Sequence, residues 1–283
     1  MLNQFVDIGG VSTRCLIAGD ERAPAVLLLH GVTLTADIWR HNIDTLGRDF
    51  RVVAVDMLGH GFTRPAARQR ADIPGKIDHL LRLADTFRFD HFAVSGSSYG
   101  ALIAANLYLR APERISRLVL NGSGSCFSSE ADLAVFLTRT YGNYEPTLTS
   151  SSPEMWRERL CGTVFDPASI PQELPPLLSL CYAQPWIAAC WEQTISTMRD
   201  GQAFRPYRIL ERLEAIGAET LVVWGREDRG AAYDSAAAAV KRMPRARLVA
   251  FERCGHLPML EHPQPYNELV REFLSGDAPA RVA

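Results

Sequence analysis

The sequence predicts an α/β fold: a mostly parallel central sheet with helices on both faces and a helical cap inserted between two strands. Short β-rich runs alternate with helical patterns along the chain, which is the order that builds such a sheet. Continuous apolar runs such as VLLL and RLVL suit strands that are buried on both faces. A long helix-like segment interrupts this alternation, and strand-like sequence resumes only at TLVVWG.

The individual elements follow from apolar runs and helical spacing. The predicted strands are Thr13–Ala18, Ala25–Leu29, Val52–Val55, Phe92–Ser95, Arg117–Asn121, Thr220–Trp224 and Arg247–Phe251. The predicted helices of the core are Lys76–Phe87, Tyr99–Arg110, Ala231–Arg242 and Pro263–Leu274.

The interruption divides the chain into a first core part (1–124), a cap (125–212) and a second core part (213–283). The cap is rich in prolines and large aromatic residues. A cap over the sheet can wall a pocket and exclude water, so Trp156, Trp186 and Trp191 are predicted to bind substrate. The alternative is that these aromatic residues only pack on one another.

Bulk properties exclude several classes of partner. The net charge of −2 provides no basic surface for nucleic acid. The N-terminal residues MLNQFVDIGG lack the charged and apolar regions typical of a signal peptide, and no apolar run reaches the ~20 residues that a membrane helix needs. The six cysteines are scattered without metal-ligand spacing. We therefore expect a cytoplasmic protein with a small-molecule substrate, no cofactor, no metal, and no nucleic-acid or membrane partner, and we allow for a homodimer.

A candidate nucleophile lies in Gly96-Ser97-Ser98-Tyr99-Gly100, between a predicted strand and a predicted helix. In a G-x-S-x-G turn the glycines make room for a strained backbone, and the central serine projects above the end of the strand. Ser98 is therefore the predicted nucleophile. The alternative is a structural turn rich in serine and glycine.

A serine nucleophile needs a base, and the base needs an orienting group. His256 follows the last predicted strand and Asp228 follows the strand before it, which gives the order Ser, acid, His along the chain. Both lie at strand ends, where ligands bind in open α/β sheets. Glu227 and, less strongly, Asp234 are alternatives for the acid.

Backbone amides are predicted to stabilise the oxyanion. Val32 follows His30-Gly31 after a buried strand, and Tyr99 follows the nucleophile, so their N–H groups can form an oxyanion hole. His30 is expected to fix its loop rather than to act as a second base.

Successive motifs resemble the α/β-hydrolase superfamily: HG with a downstream tryptophan, DMLGHGFTRP, SGSSYG, LVVWGREDR and CGHLPMLEHP. The resemblance implies the α/β-hydrolase fold and favours Asp228 over Glu227. Because the nucleophile is a serine, the pattern differs from haloalkane dehalogenases and epoxide hydrolases.

The cap also resembles the lid of meta-cleavage-product hydrolases, which break carbon–carbon bonds in ring-fission products. That family typically has an asparagine before the nucleophile, an arginine in the lid and a tryptophan after the histidine. This chain has Ser97 and Leu257 at the first and last positions, and no arginine near Leu177. Leu257 is therefore a predicted substrate contact. A substitute carboxylate anchor could come from Arg157, Arg159, Arg205 or Arg208.

Together these features predict a serine hydrolase that cleaves an ester-like or activated carbon–carbon bond beside a carbonyl, through an acyl-enzyme. The alternatives are a meta-cleavage-product hydrolase, an acyltransferase, a lyase or a non-catalytic ligand receptor on the same fold.

Overall fold

The structure, a computed structural model, describes residues 1–138 and 151–276. The described residues form an eight-stranded sheet in the order β1-β2-β4-β3-β5-β6-β7-β8. Strands β1 and β2 run antiparallel to their neighbours, and the pairs from β4 and β3 through to β8 are parallel. The strands are β1 Leu2–Asp7, β2 Ser12–Ala18, β3 Ala25–Leu29, β4 Arg51–Val55, β5 Phe92–Ser97, β6 Ile115–Asn121, β7 Glu219–Gly225 and β8 Ala246–Phe251.

Helices cover both faces of this sheet. They are α1 Ile43–Leu46, α2 Ile73–Thr86, α3 Tyr99–Arg110, α4 Gly124–Phe127, α5 (described over residues 130–138), α6 Pro153–Cys161, α7 Leu174–Tyr182, α8 Ile187–Arg199, α9 Gly201–Phe204, α10 Tyr233–Val240, α11 Pro258–Glu261 and α12 Pro263–Ser275.

The buried strands divide their side chains between two core clusters. In β3, Leu27 and Leu29 pack in the cluster that contains α2 and α3 residues, whereas Val26 and Leu28 pack in the cluster that contains α12 residues. Successive side chains of a strand point to opposite faces, so a strand covered on both sides reads as continuously apolar. This explains why VLLL predicted a central strand.

The segment between β6 and β7 is helical in its described part, from α4 to α9, which confirms the predicted cap inserted between two strands. Its helices contribute to both clusters, for example through Trp191 of α8 and Leu160 of α6. The predicted limits 1–124, 125–212 and 213–283 stay a prediction, and residues 139–150 of the predicted cap lie outside the described residues.

Strand β1 is not among the predicted strands. Its residues are mostly exposed because it pairs only with β2 at the edge of the sheet, so it lacks the apolar run that marks the central strands. The available signal was Gly9-Gly10, where both glycines have positive φ (59° and 87°) in a tight turn between the two strands. Within the described residues, no helix is both long enough and apolar enough to cross a membrane.

Candidate active site

Three loops meet at one edge of the sheet. Ser98 follows β5, Asp228 lies beyond β7, and His256 lies beyond β8. These strands are parallel, so their carboxyl ends lie on the same side, and residues distant in sequence come together there. Ser98, Asp228 and His256 all line one cavity of about 590 Å³.

Ser98 occupies a strained turn. Its φ of 54° and ψ of −115° lie outside the regions that residues with a side chain normally adopt. Two hydrogen bonds to the end of β6 and the loop after it fix the turn. The Ser98 amide donates to the Asn121 carbonyl at 2.8 Å, and the Ser123 hydroxyl donates to the Ser98 carbonyl at 2.8 Å. The surrounding structure therefore fixes a conformation that the isolated turn would avoid.

The two flanking glycines are required by close backbone contacts. A Cβ at Gly96 would collide with the Gly100 carbonyl, and a Cβ at Gly100 would collide with the Leu29 carbonyl. The start of α3 thus packs directly against β3 and β5, which is the close approach that a G-x-S-x-G turn allows.

His256 is oriented by Asp228. The Nδ1 atom of His256 lies 2.7 Å from Oδ2 of Asp228, and the Asp228 side chain is only 1% exposed. The other carboxylate oxygen, Oδ1, accepts from the Gly230 amide at 2.8 Å and from the Ala231 amide at 3.1 Å. Because an ionised carboxylate accepts only, Nδ1 carries the proton, and Nε2 of the neutral ring is left as the basic atom.

The local environment raises the pKa of His256 above its ordinary value. Burial opposes the charged imidazolium, but the attraction and hydrogen bond of Asp228, together with the charge of Glu261, outweigh it. The ring is therefore a stronger base than a free histidine.

The alternative acids have other positions. Glu227 accepts from the Cys254 amide at 2.9 Å and so fixes the loop that precedes the histidine. Asp234 is exposed in the first turn of α10. The geometry thus brings Asp228, rather than either alternative, to His256.

Glu261, which was not predicted as a site residue, holds the loop that contains His256. Its carboxylate accepts from the amides of Gly255 (3.0 Å), Leu257 (3.2 Å) and Phe165 (2.6 Å). A second contact from the cap is the Thr163 carbonyl, which accepts from the His256 amide at 2.8 Å. The available signal for the role of Glu261 was an acidic residue five positions after the histidine. Nothing in the local sequence indicates the contact of the Thr163 carbonyl.

The predicted oxyanion donors lie beside Ser98. Val32 lines the cavity, and a Cβ at its neighbour Gly31 would be 3.5 Å from Cβ of Ser98. Tyr99 begins α3, so its amide is at the positive end of that helix dipole. His30 fixes the turn: Nδ1 donates to the Gly31 carbonyl at 2.7 Å, and Nε2 accepts from the Met57 amide at 3.0 Å.

The cavity wall differs from the predicted one. Leu257 lines the cavity, as expected, but the described lining residues do not include Trp156, Trp186 or Trp191. These tryptophans pack elsewhere: Trp156 lies 4.5 Å from the Tyr182 ring between centroids, and the other two pack in or against the core clusters. The positions of these three tryptophans fit the alternative prediction, in which the aromatic residues of the cap serve packing. The cap side of the wall consists of Asp132, Val135, Phe136, Met155, Glu158, Arg159, Leu160, Gly162 and Thr163.

Comparison with known proteins gives the family. The sequence profile of the alpha/beta hydrolase fold matches residues 24–263. The chain belongs to the α/β-hydrolase fold family. It is 32% identical to the 2-hydroxymuconate semialdehyde hydrolase of a Pseudomonas species, over 90% of this chain and 88% of that protein. It is also 27% identical to a pimeloyl-[acyl-carrier protein] methyl ester esterase of Nitrosomonas europaea, over 86% of this chain and 92% of that protein.

Solved structures agree with this assignment. The 2-hydroxy-6-oxo-6-phenylhexa-2,4-dienoate hydrolase of a Rhodococcus species superposes with a TM-score of 0.82 at 26% identity, covering 97% of this chain and 98% of that one. These relatives are hydrolases of carbon–carbon bonds or of esters, so this α/β-hydrolase is an enzyme of the hydrolase class.

Proposed function

We propose that this α/β-hydrolase is a serine hydrolase that cleaves an ester-like or activated carbon–carbon bond beside a carbonyl, in a small to medium apolar substrate. The observation that carries the proposal is the 2.7 Å contact between His256 and Asp228 at the wall of the cavity that Ser98 also lines. A cavity of about 590 Å³ is in the range of small-molecule sites.

In the proposed reaction, Oγ of Ser98 attacks the substrate carbonyl while Nε2 of His256 takes the hydroxyl proton. The carbonyl oxygen becomes negative and is stabilised by the amides of Val32 and Tyr99, each worth about 3 kcal/mol in the transition state. His256 then gives its proton to the leaving group. Water, deprotonated by the same histidine, attacks the acyl-enzyme and releases the acid and free Ser98.

A second candidate is hydrolysis of a ring-fission dienoate, which the names of several relatives favour. Such a substrate carries a carboxylate that needs a cationic partner. Among the four cap arginines considered from the sequence, all within the described residues, Arg159 lines the cavity, Arg157 and Arg205 are exposed, and Arg208 pairs with Glu130 at 3.1 Å. For this candidate, Arg159 is therefore the proposed anchor.

A direct comparison of substrates distinguishes the two bond types. The enzyme is offered p-nitrophenyl esters of increasing acyl length and, separately, a ring-fission dienoate, and kcat/KM is measured for each. We expect turnover of the esters. Turnover of the dienoate alone would refute the preference for ester-like bonds and support the second candidate.

The role of Ser98 is tested by labelling and substitution. We expect a fluorophosphonate probe to label Ser98, and Ser98→Ala to abolish labelling and lower kcat by at least about 10³-fold at unchanged Tm. Ser97→Ala is the matched control, because the Ser97 hydroxyl is buried without a hydrogen-bond partner in the described structure and its loss leaves no group unsatisfied.

Transfer of the acyl group only to an added alcohol would instead identify an acyltransferase. Absence of labelling in folded protein would favour a ligand receptor.

The remaining properties rest on the sequence. The absence of a nucleic-acid partner, the cytoplasmic location and the homodimer stay predictions. Light scattering coupled to gel filtration measures the oligomeric state directly.

A further inference from the structure

A lysine is fully buried behind the candidate active site. The chain has only two lysines among its 30 basic residues. Lys241 is exposed after α10, whereas Lys76 of α2 is 0% exposed. Lysine is almost never fully buried without a partner, so its position needs an explanation.

The Lys76 ammonium joins the core to the cap. Nζ donates to the Ala71 carbonyl and, at 2.9 Å, to Oγ1 of Thr194 in cap helix α8. The Ala71 amide also donates to Oε1 of Gln193 at 2.8 Å. The loop before α2 is therefore attached to α8 through both its amide and its carbonyl.

The same ammonium lies against Tyr99. Nζ is 5.7 Å from the centroid of the Tyr99 ring, within the range of a cation–π interaction. His60 also stacks on that ring, at 6.3 Å between centroids. Tyr99 is the residue after Ser98, so this ring is attached to the backbone unit whose amide is the proposed oxyanion donor.

We infer that Lys76 is a positioning residue for the proposed hydrolysis: its ammonium holds Tyr99, and with it the oxyanion-side amide, against helix α8 of the cap. The inference rests on the proposed function, because it gives Lys76 a role in the reaction that is proposed for Ser98. Lys76 itself does not line the cavity and is not a catalytic residue.

The charge of Lys76 depends on the groups around it. Burial lowers its pKa to about 7, and nearby Cys190 and Asp72 act in the opposite direction. His60 and His30 also face this region, and burial lowers the pKa of each, so both are neutral. Among Lys76, His60 and His30, the ammonium is therefore the cation, and the charge of Arg64 acts on the neighbouring Cys190. The ammonium can lose its proton near neutral pH, which a guanidinium could not do.

Loss of the proton weakens the contacts of Lys76. A neutral amine has no cation–π attraction to Tyr99, and its hydrogen bonds to Ala71 and Thr194 are no longer charge-assisted. We expect ester hydrolysis by the wild-type enzyme to fall at alkaline pH, with an apparent pKa equal to that of Lys76.

Lys76→Met tests the inference, with Lys241→Met as the control. We expect Lys76→Met to lower kcat/KM about tenfold at pH 6.5 and to remove the alkaline decline, whereas Lys241→Met changes neither. Because there are two lysines, ¹³C-lysine labelling gives two Cε signals, and their NMR titration gives the pKa of Lys76 directly. An alkaline decline that persists in Lys76→Met, or a Lys76 signal that titrates like that of Lys241, would overturn the inference.

A second variant keeps the test available if Lys76→Met does not fold. Thr194→Val removes the acceptor on α8 and disfavours the ammonium, so the alkaline decline should move to lower pH by about half a unit or more. Thr197→Val is its match on the same helix. Oγ1 of Thr197 donates to the Gln193 carbonyl at 3.3 Å and does not contact Lys76 in the described structure, so this substitution should cause no shift. Equal profiles in the two variants would contradict the inference. Absence of any hydrolysis by wild type would overturn the proposed function as well.

Discussion

The two sides of the Ser98–Tyr99 turn carry titratable groups whose pKa values shift in opposite directions. On the cavity side, Asp228 raises the pKa of His256 despite burial. On the core side, burial lowers the pKa of Lys76 to about 7. His256 has a carboxylate at 2.7 Å, whereas Lys76 donates to a carbonyl and a hydroxyl. A charged partner, rather than depth, therefore decides the direction of the shift.

Both sides should affect the reaction, but they differ in how strongly their replacement should affect stability near neutral pH. Groups on the cavity side contact the proposed substrate and each other, so their replacement should alter the reaction with little effect on folding. Groups on the core side join α2, α3 and α8, so their ionisation should alter the free energy of unfolding.

The largest expected effect is on the cavity side. Asp228→Asn should lower kcat by about 10⁴-fold at unchanged Tm, because an amide no longer fixes the tautomer of His256 that leaves Nε2 basic. Glu227→Gln is the neighbouring control and should cost at most about tenfold, since that side chain bonds the Cys254 amide instead. Steady-state kinetics with a p-nitrophenyl ester measures both. Equal losses in the two variants would reassign the acid.

Much of the cavity side could be predicted because its signals are local in sequence. A glycine-flanked serine after a strand, and an acid and a histidine after later strands, name Ser98, Asp228 and His256 without knowledge of packing. Glu261 and Thr163 were not predicted, because their role is to bind backbone amides of a loop, and any polar group at the right distance can do this.

The next largest effect concerns the core side. Between about pH 7 and 10.5 the unfolded chain binds a proton at Lys76 that the folded chain does not, so stability should rise with pH in this window. At about 1.4 kcal/mol for each pKa unit, the gain over the whole window is up to about 5 kcal/mol. Urea unfolding at a series of pH values measures it. Lys76→Met should show a flatter profile. Parallel profiles for the variant and the wild type would show that Lys76 titrates normally.

Little of the core side could be predicted. Lys76 lies at the start of an amphipathic helix, where a lysine normally faces water. Tertiary packing buries it, including its contacts with Thr194 of α8 and with the Tyr99 ring. The same limit applies to the cap. Apolar spacing indicates that Trp156 and Trp191 are buried, but periodicity does not reveal whether the buried face meets the core or the cavity. The edge strand β1 was missed for the converse reason, since exposure leaves no apolar pattern.

A smaller effect is expected on the acid side of the pH profile. In the proposed reaction, Nε2 of His256 must be unprotonated to accept the proton of Ser98, so kcat/KM should fall about tenfold per pH unit below an apparent pKa above 6.5. The raised pKa also stabilises the fold: this contribution is full below the unfolded value of about 6.5 and is lost as pH rises through the folded value. Its sign is opposite to that of Lys76. An acid-side decline of kcat/KM centred below pH 6 would contradict the proposed effect of Asp228 on the pKa of His256.

The smallest expected effect tests which residues form the cavity wall. Leu257→Ala enlarges the cavity and should shift preference toward longer p-nitrophenyl esters by about fivefold, since one or two methylene groups in an apolar pocket are worth about 1 kcal/mol or more. The ratio of kcat/KM for octanoate and butyrate esters measures the shift and cancels any effect on the neighbouring His256. Trp156→Phe is the contrasting variant: its indole donates to Oγ of Ser151 at 2.8 Å, away from the cavity. It should lower stability by about 1 kcal/mol at an unchanged ester ratio. If the ester ratio shifted in Trp156→Phe but not in Leu257→Ala, Trp156 would line the cavity, as the sequence predicted.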